Sequence, residues 1–165
     1  MTVSTTKTWT AEERVELQRK CVAEHLALEN AHEKDRVLAE TFASDGVFYD
    51  IVPGHVHLEG LEQVQGFYDA LFATFPDIHI TITHEYDVPG CCVREGKVTG
   101  THSAEFAGVP ASGNFASFPF CAMYIFGDDP NKLIAERAYW DNDVLIRQFK
   151  GESAPQLDYP WDSGK

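Results

Sequence analysis

Apolar and polar residues change their spacing along the chain, in a way that predicts helices first and strands afterwards. The capping-box motif Thr10-Ala-Glu-Glu13 predicts a helix that begins at about Ala11. A second, shorter helix is predicted at about 34–43, where the segment ends in Ser44-Asp-Gly46. A third helix is predicted from an apolar stripe at helical spacing, formed by Leu61, Val64, Tyr68, Leu71 and Phe75.

Beyond residue 77 the period shortens to two, which is typical of strands. Ile78, Ile80 and Ile82 alternate with polar residues, and the long apolar run 115–126 is followed by the turn 127–130 and a strand that closes at Asp141. The order of elements predicts an α+β fold, a cone-shaped barrel of a strongly bent antiparallel sheet packed on three N-terminal helices. We expect one domain over 1–151 and a C-terminal tail over 152–165.

Charge and length exclude several classes of partner. The 165 residues carry a formal net charge of -13, which argues against a nucleic-acid or anionic-membrane partner, since phosphates are bound by excess Lys and Arg. No apolar segment approaches the roughly 20 residues of a membrane span, and residues 1–10 lack the apolar core of a signal peptide. These features predict a cytoplasmic protein with a small-molecule substrate.

Polar residues interrupt the apolar face of the first helix. Gln18, His25, Glu29 and His32 fall between two apolar edges, so they either line a cavity or need buried partners. The spacing of His25, Glu29 and His32 also permits a metal site, because residues at i, i+4 and i+7 share a helical face. Such sites need a second copy of the motif, which the sequence lacks, so no metal is predicted.

Asp141 is the candidate base, because a carboxylate held beside apolar surface has a raised pKa and can carry protons. His102, after Gly100-Thr101, is the candidate hydrogen-bond donor, with Tyr49 and His25 as further donors. The alternative for Asp141 is an exposed carboxylate that caps the following turn. The candidate substrate-binding residues are His55, Phe67, Phe118, Phe120, Met123, Tyr139, Trp140 and Arg137.

Several short motifs resemble the SnoaL-like polyketide cyclase family of the nuclear transport factor 2-like superfamily. The matching segments are Gly60-Leu-Glu-x-Val64, Phe75-Pro-Asp77, Gly100-Thr-His102, Gly108-Val-Pro110 and Tyr139-Trp-Asp141 with Leu145 and Gln148. The resemblance covers about residues 13–150. It implies a cofactor-independent pocket in which the carboxylate of Asp141 and the imidazole of His102 move protons during an intramolecular aldol closure.

The same acid and base would also serve retro-aldol cleavage, isomerisation and dehydration, so the reaction stays open. An epoxide hydrolase would instead place Arg137 between Asp141 and a second carboxylate. A non-catalytic binding module is a third alternative, because one fold hosts many functions. An open sheet with apolar residues on its outer face also predicts a homodimer.

Overall fold

Residues 8–153 are described by a computed structural model of the chain. The tail predicted at 152–165 therefore lies almost entirely outside the described residues. The helices are α1 (Ala11–Asn30), α2 (Lys34–Arg36), a π-helix (Val37–Thr41), a 3-10 turn (Val52–Gly54), α3 (Gly60–Thr74) and α4 (Asn142–Phe149). Among these residues no helix combines the length and apolarity that crossing a membrane requires.

Six strands form one curled sheet, against whose inner face the long helices pack. The strands are β1 (Phe48–Ile51), β2 (Val56–Glu59), β3 (His79–Val88), β4 (Cys91–Thr101), β5 (Phe115–Phe126) and β6 (Leu133–Trp140). Their order across the sheet is β2-β1-β6-β5-β4-β3. The three longest strands, β3 to β5, pair with their neighbours in sequence, as hairpin connections require.

Helix α1 begins where the sequence predicts. The Thr10 hydroxyl accepts the N–H of Glu13 at 3.1 Å, and the Glu13 carboxylate accepts the N–H of Thr10 at 2.9 Å. The helix buries Gln18, His25 and Glu29 together with its apolar residues. Polar groups buried in this way need partners, and the partners of His25 and Glu29 define the site described below.

The α+β fold with a bent sheet is confirmed, and four details differ from the prediction. The pairing of β1 with β6 is parallel, because the two strands are not joined by a hairpin that would reverse the chain. The segment 53–57, expected to be a loop, instead leads into strand β2, which begins at Val56. The second helix changes to π geometry at Val37. A fourth helix follows β6, capped by Asp141 and anchored by buried Leu145 and Phe149.

Strict alternation along β5 and β6 separates the two faces of the sheet. On β5, Phe118, Phe120 and Tyr124 are buried on the inner face, whereas Met123 between them points outward. On β6 the inner positions are Glu136, Ala138 and Trp140. The inner face therefore carries a carboxylate among aromatic side chains.

Candidate active site

A cavity of about 390 Å³ lies between the inner face of the sheet, helix α3 and the start of helix α4. Its walls are mostly apolar and aromatic, with Phe67 and Leu71 from α3 facing Phe118, Phe120 and Trp140 from the sheet. Its inner end is formed by buried polar residues, namely Glu29, Tyr49, Tyr124 and Glu136. Its mouth is formed by exposed residues, among them Gly54, Val56, Glu105 and Ala107. The cavity therefore offers hydrogen bonds at one buried end of an apolar chamber.

His25 lies behind the inner end of the cavity, between two carboxyl groups. Its Nε2 atom is 3.4 Å from Glu29 Oε1 and 3.3 Å from Glu136 Oε2. The Tyr49 hydroxyl donates to Glu136 Oε1 at 3.0 Å, and the Tyr68 hydroxyl donates to Glu29 Oε1 at 2.9 Å. We call His25, Glu29 and Glu136, with Tyr49 and Tyr68, the buried proton cluster.

The hydrogen bonds of the buried proton cluster indicate where its protons lie. The single hydroxyl hydrogen of Tyr68 goes to Glu29, so its oxygen, 3.2 Å from His25 Nε2, is free to accept from that nitrogen. An Nε2–H on His25 therefore faces three oxygen atoms, and Nδ1 lies 2.9 Å from Thr41 Oγ1. This environment favours the imidazolium form of His25, with Nε2–H as the proton nearest to both carboxyl groups.

The electrostatics agree with that assignment. Burial alone would lower the pKa of His25, but the adjacent carboxylates of Glu29 and Glu136 raise it to about 10. Burial raises the pKa of Glu136, against the opposing effect of His25. Glu136 Oε2 also makes no hydrogen bond among the described residues. Oε2 is therefore a buried carboxyl oxygen that is available to a ligand in the cavity.

His25, Glu29 and Glu136 are also the described residues whose ligand atoms lie close enough for one metal ion, all within 4.8 Å of one another. His32, the third member of the helical set considered from sequence, is not among them. It follows the helix with a positive φ of 58° and contacts the carbonyl of Ile78. The imidazolium of His25 and the hydrogen bonds that Tyr49 and Tyr68 donate already offset the charge of the two carboxyl groups.

Asp141 does not line the cavity. It is exposed and caps helix α4, with Oδ1 accepting the N–H of Val144 at 3.1 Å. Strand β6 ends at Trp140, one residue earlier. The desolvation that would make Asp141 a base is therefore missing in this structure, which has the capping arrangement instead.

His102 is fully buried but also stands outside the cavity lining. Its ring stacks on Phe149 with centroids 3.7 Å apart, and Nδ1 lies 3.0 Å from Ser112 Oγ. Burial lowers the pKa of His102. Gly100 leaves no space for a ligand beside His102, because the position of a Cβ on that glycine would lie 2.8 Å from the ring of Phe75. His102 is thus packed beneath the loop that closes the cavity mouth.

The other predicted site residues divide according to the face they occupy. Tyr49, Phe67, Phe118, Phe120 and Trp140 line the cavity. Met123, Arg137 and Tyr139 lie on the outer face, because they alternate with the inward positions of β5 and β6. His55 is exposed in a left-handed turn at the mouth and does not line the cavity.

Arg137 pairs with Asp50 on the outer face, where Nε and Oδ2 are 3.0 Å apart, and Asp50 also contacts His57. The arginine that an epoxide hydrolase would need is therefore directed away from the cavity. Glu136, which sequence reasoning missed, precedes it by one residue. Its signal was the alternation of Glu136, Ala138 and Trp140, which is opposite in phase to the selected residues Arg137 and Tyr139.

Comparisons with known proteins agree with this architecture. Residues 21–149 match the sequence profile of the SnoaL-like polyketide cyclase family. Among solved structures, a candidate SnoaL-like polyketide cyclase from Jannaschia sp. CCS1 is 19% identical, with a TM-score of 0.77 over 88% of this chain and 100% of that chain. IdmH from Streptomyces antibioticus, a candidate polyketide cyclase, is 20% identical, with a TM-score of 0.67 over 81% and 98%.

A third similar structure, from Catenulispora acidiphila DSM 44928, is described as having a ketosteroid isomerase-like fold. It is 18% identical, with a TM-score of 0.66 over 84% of this chain and 98% of that chain. No curated protein matches the sequence significantly. The fold is thus that of the nuclear transport factor 2 and ketosteroid isomerase class. Within that class the chain belongs to the SnoaL-like polyketide cyclase family, which supports a small-molecule cyclase or isomerase-type role.

Proposed function

We propose that this protein is a cofactor-independent enzyme that moves protons next to a carbonyl group of a neutral, mostly apolar substrate, and that Glu136 carries the proton. The observation that supports this most directly is Glu136 Oε2, a buried carboxyl oxygen without a hydrogen bond at the inner end of an apolar cavity. Burial raises the pKa of Glu136 above its ordinary value, which makes the carboxylate a stronger base than an exposed one.

The substrate class follows from the lining of the cavity. The described residues that line it include Glu29, Glu105 and Glu136 but no lysine, arginine or histidine. A substrate carboxylate would meet like charge at both the mouth and the inner end, which is unfavourable in a low-dielectric cavity. An aromatic or polycyclic hydroxy or carbonyl compound would pack against Phe67, Phe118 and Trp140 while its oxygen reaches the inner end.

The proton transfer would proceed as follows. Glu136 removes a proton from the carbon next to the substrate carbonyl, and the negative charge passes to the carbonyl oxygen. Burial raises the pKa of Tyr124 well above the usual value, so its hydroxyl remains a neutral hydrogen-bond donor near that oxygen. Burial also raises the pKa of Tyr49, whose neutral hydroxyl donates to Glu136 Oε1. The enolate then attacks a second carbonyl in the same molecule, which closes a ring, and the alkoxide formed takes the proton from Glu136. Alternatively, the enolate takes the proton back from Glu136 at another carbon, which isomerises the substrate.

The decisive experiment compares two carboxylates that differ in their position. Glu136→Gln should lower kcat by about 10²–10⁴-fold, as expected for the loss of a general base, while the fold is retained. Asp141→Asn keeps an N-cap residue and should leave kcat unchanged. Turnover would be followed by mass spectrometry on a panel of neutral hydroxy-ketones and diketones. If Asp141→Asn abolishes turnover and Glu136→Gln does not, the base is Asp141; if the wild-type protein binds but never converts the panel, it is a binding module.

A further inference from the structure

Thr41 lies behind His25, on the side away from the cavity. It is 1% exposed and is the last residue of the π-helix Val37–Thr41, which continues directly from α2. Its hydroxyl oxygen is 2.9 Å from His25 Nδ1 and 2.6 Å from the carbonyl oxygen of Val37. Thr41 does not line the cavity, so it would act only through His25.

The hydrogens of this chain of contacts can be counted without ambiguity. A carbonyl oxygen only accepts, so the single hydroxyl hydrogen of Thr41 is committed to Val37. The threonine oxygen can then only accept from His25, so Nδ1 is the donor in that contact. Nδ1 keeps its hydrogen, and the nitrogen that gains or loses a proton is Nε2, which faces both carboxyl groups.

We propose that Thr41 is a positioning residue that fixes the proton on Nδ1 of His25 and thereby confines proton exchange in the buried proton cluster to Nε2. This inference rests on the proposed function, because exchange at Nε2 matters for turnover only if Glu136 carries protons to the substrate. Thr41 is the last residue of the π-helix, and its hydroxyl lies between His25 Nδ1 and the Val37 carbonyl at the start of the same helix.

The titration of His25 depends on groups from several elements around it. The elements packed around His25 carry the following titratable and charged groups: Glu29 on α1, Tyr68 on α3, Tyr49 on β1, Tyr124 on β5, Glu136 on β6 and, beyond Tyr124, Arg94 on β4. None of these groups is removed when only Thr41 is substituted. A change in the pKa or the tautomer of His25 in a Thr41 variant can therefore be attributed to the lost hydrogen bond at Nδ1.

The direct test observes the imidazole by NMR of protein labelled with ¹⁵N-histidine, with His25 assigned from the His25→Gln spectrum. In the wild-type protein, the neutral form of His25 should carry its proton on Nδ1. Thr41→Val has nearly the same shape but removes the acceptor, so the pKa of His25 should fall by about one unit and the neutral form should be a mixture of tautomers. Thr41→Ser, which keeps the hydroxyl, should restore both properties.

Activity provides the second readout. In Thr41→Val we expect kcat to fall about tenfold or more, with a shifted pH profile and an unchanged KM, because Thr41 does not touch the substrate. Cys21→Ala is the matched control, since Cys21 Sγ contacts the backbone carbonyl of Thr41 and its removal leaves the hydroxyl in place. It should change neither the pH profile nor the tautomer.

Three results would overturn the inference. The first is a neutral His25 that is protonated on Nε2 in the wild-type protein, an outcome that needs no variant. The other two are an unchanged pKa and tautomer of His25 in Thr41→Val, and a Thr41→Ser variant that behaves like Thr41→Val. Failure of the proposed function would give a different pattern of results from failure of this inference. If Glu136 does not carry the proton, Glu136→Gln and His25→Gln keep full activity, whereas the NMR result on Thr41 stands unchanged.

Discussion

Glu136 and Asp141 show how strongly the position of a carboxylate determines what it can do. They are five residues apart in sequence, yet Glu136 is 3% exposed at the inner end of the cavity, whereas Asp141 is exposed at the start of helix α4. Burial raises the pKa of Glu136, and the N–H of Val144 occupies one carboxylate oxygen of Asp141. The first arrangement serves proton transfer, and the second serves helix capping.

His25 should make the stability of the protein depend on pH in a definite direction. Its pKa of about 10 in the folded state lies above the ordinary value of 6.5, so the folded state binds a proton that the unfolded state releases between these values. The stabilisation is fully present below about pH 6.5 and is lost as the pH rises toward 10. The melting temperature of the wild-type protein should therefore fall steadily across this window.

The comparison that isolates His25 is the His25→Gln variant, measured by thermal denaturation at the same pH values. Other groups with raised pKa values, such as the thiol of Cys21, remain in both proteins. The variant should be less stable at pH 6.5 and should lose less stability up to pH 10. Parallel curves for the two proteins would show that His25 is not charged in the folded state.

At the scale of elements, sequence pattern predicted the type of most elements but not the phase of the strand that matters most. The capping box and the apolar stripe located α1 and α3, because both signals arise from residues within one helix. Alternation located β5 and β6, but alternation alone does not say which set of residues faces inward. Only the pairing with β5 and the helices that cover one face fix Glu136 inside and Arg137 outside.

Other contacts of the site were beyond sequence reasoning for a related reason. His25 meets Glu136 across more than a hundred residues, and Thr41, at the end of the π-helix, contacts His25 Nδ1 from sixteen residues further along the chain. The i, i+4 spacing of His25 and Glu29 identified two of the five members of the buried proton cluster, since helical neighbours can be read locally. The parallel pairing of β1 with β6, which brings Tyr49 to Glu136, has no local signal.

The phase of β5 gives a testable difference between two neighbouring substitutions. Phe120 lines the cavity and Met123 lies on the outer face. Phe120→Leu should raise KM by about three- to tenfold through loss of aromatic contact with the substrate. Met123→Leu should leave KM unchanged. Steady-state kinetics on any converted substrate decides the matter, and a larger effect at Met123 would contradict the assignment of the faces.

At the scale of the whole molecule, the curled sheet has one covered face and one open face. Helices and the cavity cover the inner face, while the outer face carries Met123, Ile125 and Tyr139 from adjacent strands. Large apolar side chains on or near it are well exposed, including Phe115 at 62% and Tyr86 at 58%. An apolar surface of this kind on a monomer is unfavourable and is typical of an interface.

We therefore predict that two copies of the chain pair through the outer face of the sheet, because the same surface on both partners can be self-complementary about a twofold axis. Light scattering at micromolar concentration should give twice the chain mass of 18.5 kDa. Met123→Glu places a charge on that face and should shift the equilibrium to the monomer, since an unpaired buried charge is costly. Lys20→Glu, exposed on α1 in the opposite layer, is the control and should remain dimeric. A wild-type monomer would contradict the prediction, and a dimer unaffected by Met123→Glu would place the interface on another surface.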